Sequence, residues 1–92
     1  MNISAINEEE IINRLKKTFK DRFFIDLSEY TNSDLSKELL SGAFKLSPGS
    51  LIYLFFDVEK EFNIRIPEED IAYGKFNSFN NIVDIVKKQI GI

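Results

Sequence analysis

The amino-acid sequence predicts an all-α domain with three main helices, a short helix before the last one, and a long first loop. Three observations lead there. Apolar residues recur at three- and four-residue intervals in three separate stretches, which is the period of a helix with one buried face. Each stretch opens on a residue type that caps helices. No two alternating runs are joined by a tight turn, so no hairpin is expected. The 92 residues are 43% hydrophobic and 29% charged, which suits one domain spanning residues 1–92 around one core. Nine phenylalanines make that core aromatic-rich.

The first helix starts after Asn7, an N-cap residue, with Glu10 placed to complete a capping-box pair. Glu8, Glu9 and Glu10 stand at the positive end of the helix dipole, and Lys16, Lys17, Lys20 and Arg22 stand toward the negative end. Ile11, Leu15, Phe19 and Phe23 form one apolar stripe, with Ile12 beside it.

Residues 25–47 read as a long connection broken by Ser, Thr, Asn and Asp. Ile25, Leu27, Tyr30, Leu35, Leu39, Leu40, Phe44 and Leu46 supply apolar anchors, so the segment should wrap across the helices rather than hang free. Ser33 is placed to cap a short helical turn through Leu40, and Gly42 to end it.

The next helix opens with Ser47 as N-cap and Pro48 at the first helical position, where a missing N–H costs nothing, and runs to Phe62. Leu51, Leu54, Phe55, Val58 and Phe62 share the face expected in the core. Ile52, Tyr53 and Phe56 are left on a flank that a surface helix would make polar. Coverage by the long loop is the favoured expectation for that flank, and contact with a partner is the alternative.

Ile64 and Ile66 alternate around Arg65, but Pro67 followed by Glu68, Glu69 and Asp70 points to a short helix ending near Gly74. Ser78 caps the last helix, which carries Phe79, Ile82, Val83, Val86 and Ile90. Lys87 and Lys88 fall in its last turn and Gly91 beyond its end.

The chain has no cysteine, no histidine and a net charge of −3. Without cysteine there is no disulfide frame or thiolate chemistry, which fits a cytoplasmic protein. Without histidine the usual general base and soft metal ligands are gone too, and no nucleophile, base and orienting group can be named together. A non-enzymatic role is expected, with no metal. The acidic balance and the lack of a basic face argue against nucleic-acid binding. The N-terminus lacks the pattern of a signal peptide. The longest apolar run, Leu51 to Phe56, is far short of a membrane span.

The segment Val58-Glu-Lys-Glu-Phe62-Asn-Ile-Arg-Ile66-Pro67-Glu-Glu resembles the end of the second helix and the Ile-Pro step of acyl and peptidyl carrier proteins. Phe76-Asn-Ser-Phe79-Asn-Asn-Ile-Val83-Asp-Ile-Val86 is similar to that family's entry into its fourth helix. The order of elements matches over nearly the whole chain. The long loop and aromatic helix look most like the acyl-carrier-related proteins that accompany bacterial peptide-maturation systems. The resemblance implies a four-helix acyl-carrier-like bundle that docks on partner enzymes of a biosynthetic or peptide-maturation pathway. It also implies a serine at the front of the second helix that carries 4'-phosphopantetheine.

That serine departs from the family pattern. In carriers it precedes the Phe of the acidic-Phe pair by about 14 residues, close to four helical turns. The same step back from Phe62 reaches Pro48, which has no hydroxyl. Ser50, within Gly49-Ser50-Leu51, is the candidate attachment residue but lies two positions late, a rotation of about 200° on a continuous helix. Ser47 is better explained as the cap. Two readings follow: a degenerate site on a scaffold kept for docking, which the ungapped spacing favours, or a working carrier modified at Ser50 on a shortened helix. An unrelated small helical interaction domain is the third. Family carriers present an acidic second helix to basic partners. Here Tyr53 and Phe56, with Asp57 and Glu59, are the candidate partner-binding residues, and recognition should be more apolar and less salt-sensitive.

Overall fold

A computed structural model describes residues 7–40, 44 and 46–92. Its elements are α1 (Glu8–Phe23), a single 3-10 turn (Leu27–Glu29), α2 (Asn32–Leu35), α3 (Pro48–Phe62), α4 (Glu68–Ala72) and α5 (Phe79–Ile90). No strand occurs among the described residues.

The three long helices begin and end where local chemistry dictates. Asn7, Ser47 and Ser78 each stand in extended backbone and accept the N–H three residues on, from Glu10, Ser50 and Asn81, so each relieves one unpaired helix donor. At Asn7 only half of the expected capping box forms, because the Glu10 carboxylate turns instead toward Arg14, 3.7 Å away. Asn63 and Gly91 close α3 and α5 in left-handed backbone, and the next N–H reaches back to Glu59 O and Lys87 O. α1 ends on Phe24, also left-handed, at φ 60° and ψ 32°.

α1 lies against both α5 and α3. The core joins Ile11, Leu15 and Phe19 of α1, Leu54, Val58 and Phe62 of α3, and Phe79, Ile82, Val83, Ile85 and Val86 of α5. Each such side chain is worth roughly 1.5–3 kcal/mol of burial before the entropy of ordering is charged against it. Phe19 sits at the centre, its ring edge-on to Phe79 at 5.7 Å and to Phe23 at 6.2 Å, an arrangement favoured by aromatic quadrupoles. Leu51 and Phe55, expected in the core, are only half-buried at its margin.

The long connection differs from expectation in three ways. Its helical turn is capped by Thr31, not Ser33. The Thr31 hydroxyl accepts the Asp34 N–H, while the Asp34 carboxylate accepts the Thr31 N–H. That reciprocal pair satisfies two donors where Ser33 would satisfy one. Leu40 is exposed rather than an anchor, whereas Leu39 is buried and its N–H is held by Asn77 O at 2.7 Å. The proposed stop at Gly42 lies outside the described residues.

The third difference concerns the outer flank of α3. The connection is tied to the start of α5, through Leu39 and through Asn80 Nδ2 donating to Ser36 Oγ, and by Tyr30 stacked on Phe44 at 5.1 Å. Those anchors leave it no reach over Ile52, Tyr53 and Phe56, which are 59%, 63% and 58% exposed. The expected loop coverage is therefore corrected: this flank is open.

Candidate functional site

The front of α3 is built from Ser47, Pro48, Gly49 and Ser50. Ser47 Oγ accepts the Ser50 N–H at 3.2 Å and lies 3.1 Å from Ser50 Oγ. The candidate hydroxyl is therefore engaged with the cap. Ser50 shares a helical face with Leu54, Asp57 and Glu61. Leu54 is fully buried, and the two acids meet α1, so this face turns inward to α1 and the following loop. Ser50 is half-buried and borders a cavity of about 490 Å³ with Phe23, Phe24, Tyr30 and Phe44. Asp26 lies at the same cavity, and the Ser28 hydroxyl and then the Ser28 N–H hold its carboxyl below the usual range.

Of the four residues expected to meet a partner, the two acids are engaged within the domain. Asp57 takes both arms of the Arg22 fork at 2.6 Å, joining α3 to the end of α1. That bidentate contact holds the guanidinium above its ordinary value. Glu59 accepts the Ile66 N–H at 2.8 Å and so fixes the extended segment leading to α4. Tyr53 and Phe56 remain on the open flank. The Phe56 ring stands edge-on to Phe55 at 5.4 Å, and Phe55 stands edge-on to Phe76 at 5.8 Å, so the exposed aromatic rests on a half-buried one.

Next to that flank is a feature the sequence reading did not single out. Leu51, Ile52 and Phe55 of α3 face Ile71 and Ala72 of α4 across an apolar groove of about 650 Å³, floored by Phe76 and edged by Glu68. The signal was present in the run Glu68-Glu-Asp-Ile-Ala-Tyr73, where apolar residues follow an acidic start. Their outward direction depends on how α4 sits, which no local pattern states. A second crevice, of about 680 Å³ between α1 and α3, is charged. Its acids are already paired: Asp21 with Lys17, Asp57 with Arg22 and Glu61 with Arg14.

Among the described residues, no group of three or more acidic side chains is arranged to hold a metal ion, and no helix is long and apolar enough to cross a membrane. No protein-family model, curated protein or solved structure matches the chain.

Proposed function

We propose that this chain is an acyl-carrier-related protein, a non-catalytic helical domain that docks on partner enzymes of a biosynthetic or peptide-maturation pathway and carries a degenerate prosthetic-group site. The observation that carries the reading is the division of α3. Its only serine past the cap turns toward α1 and bonds to Ser47, while Ile52, Tyr53 and Phe56 are left exposed. A phosphopantetheine arm needs a hydroxyl free to attack and a clear exit to solvent; Ser50 is hindered on both counts. An apolar docking surface needs large side chains that are not used by the core, and these three qualify. The order of α1, long connection, α3, short α4 and α5 is also the order expected of a four-helix carrier-like bundle.

Modification at Ser50 is the second reading. It is favoured by Gly49-Ser50-Leu51 lying in the first turn of α3 with Ser50 only half-buried. Intact mass after co-expression with a phosphopantetheinyl transferase separates the two. The docking reading expects no gain in mass. A gain of one phosphopantetheine that disappears in Ser50→Ala would establish a working carrier instead. Capture of enzymes encoded beside this chain should weaken in Tyr53→Ala and Phe56→Ala and change little with added salt, because burying apolar area is not screened by ions. Capture that both variants retain would point to an unrelated interaction domain using another surface.

A further inference from the structure

We propose that the cavity between the end of α1, the connection that follows it and the front of α3 binds a small quaternary ammonium ion, with aromatic rings against its methyl groups and Asp26 and Glu29 at its rim. This site is separate from the docking surface and does not depend on that reading.

The backbone of Phe24 is the first sign. α1, α3 and α5 all end on a residue in left-handed backbone. α3 uses Asn63 and α5 uses Gly91, the two residue types that suit it. α1 uses Phe24, which is strained there and 90% exposed. The ring takes no part in the core. It stands instead at the edge of the 490 Å³ cavity. Residues held in strained backbone gather at ligand clamps.

The chemistry of the walls selects the occupant. Phe23, Phe24, Tyr30 and Phe44 bring four rings to the cavity, and ring faces carry negative charge. Among the described residues, Asp26 and Glu29 are the only charged side chains lining it, and no ion pair engages either. Asp26 Oδ1 accepts both the Ser28 N–H and the Ser28 hydroxyl. The hydroxyl, then the N–H, keep this carboxyl below its usual range, and Lys20 adds least. Rings and uncompensated carboxylates together attract a cation and repel an anion. A neutral apolar ligand would gain nothing from the acids. The rings offer no acceptor, so an ion rich in N–H would lose more hydration than these walls return. A fully methylated ammonium has no N–H to leave unpaired. The volume lies within the range of small-ligand sites.

The test is titration of the intact chain with choline, followed by proton–nitrogen NMR. The comparison ligand is the uncharged carbon isostere, in which a tert-butyl group replaces the trimethylammonium. The expected outcome is saturable shifts of the Phe24, Asp26 and Tyr30 amides, with the isostere binding at least about tenfold more weakly. Phe24→Leu keeps the apolar bulk and removes the ring, so it should weaken choline binding about threefold, while Phe24→Tyr should retain it. Asp26→Asn combined with Glu29→Gln should weaken it about threefold. Tyr73→Ala, which removes an exposed aromatic at the end of α4, should leave it unchanged. Thermal melts confirm that the variants fold, which the exposure of these positions favours. No saturable shift by about 10 mM choline, equal binding of the isostere, or affinity indifferent to Phe24→Leu overturns the proposal. So does a loss in Tyr73→Ala as large as that in Phe24→Leu, since any exposed ring would then serve.

Discussion

On the side of α3 that meets α1, nearly every polar group is matched. Arg22 forks onto Asp57, and Arg14 reaches both the Glu61 carboxylate and the Glu61 carbonyl. The Arg14 guanidinium also lies over the Phe62 ring at 4.7 Å. On the side that meets α4 the Glu59 carboxylate accepts the Ile66 N–H, and the rest is apolar, with exposed Ile52 and Phe56 beside an apolar groove. One fifteen-residue helix thus holds a closed seam and an open one. The closed seam fixes where the helix sits, and the open seam is free to be read by something else. Asp57 and Glu59, the two acids among the candidate partner-binding residues, are engaged in contacts within the domain.

The contrast is broken most directly by truncating one residue on each side. Leu54→Ala, which empties a fully buried position, should cost about 2–5 kcal/mol. Ile52→Ala should change stability by no more than about 0.5 kcal/mol. Urea unfolding of the two variants decides it, and a large loss at Ile52 would mean the open side is structural after all.

Phe24 sharpens the picture at the end of α1. It is 90% exposed and sits at φ 60°, where a side chain costs about 1–2 kcal/mol that glycine avoids. Phe24→Gly should therefore stabilise the domain by about 1 kcal/mol, read as a rise in melting temperature. A fall would show that the ring makes contacts worth more than the strain.

The Arg22–Asp57 pair is a smaller matter, because Arg22 is more than half exposed and solvent screens it. A double-mutant cycle over Arg22→Ala and Asp57→Ala should give only a small favourable coupling, and none at all would leave the seam to its apolar contacts.

The smallest expected effect is on acid. Asp26 and Asp34 both have carboxyls held below the usual value, by the Ser28 hydroxyl and by the Thr31 N–H respectively. A depressed carboxyl contributes stability that is fully present above its unfolded value of about 3.9 and lost as pH falls through the folded one. Thermal melts should be insensitive to these two groups above about pH 5 and decline below about pH 4. Asp34→Asn should flatten part of that decline, and an unchanged slope would remove Asp34 from the account.

The long helices were legible because their signals are local. Asn7, Ser47 and Ser78 stand directly before four-residue apolar recurrences, and Pro48 and Gly91 mark a start and an end. Thr31 was legible too, since Asp34 lies three residues on to complete the reciprocal pair, whereas Ser33 has only Ser36 at that spacing. Leu39 and Leu40 are neighbours of one type, and which is buried depends on the hydrogen bond to Asn77, distant in sequence. The burial of Asp70 ran against its type, because an acid in a first helical turn ordinarily faces water. The groove was the least readable feature, since neither α3 nor α4 contains it alone. For Ser50, the spacing stated the helical phase, while the engagement of its hydroxyl by Ser47 needed coordinates.

Glu8 and Lys87 form an ion pair 79 positions apart, and Phe19 and Phe79 meet in the centre. α1 therefore lacks part of its final seat until α5, which is synthesised after it, is in place. Until then Ile11, Leu15 and Phe19 stay without their final cover. During synthesis the growing chain would offer chaperones an apolar stripe that the finished domain hides completely.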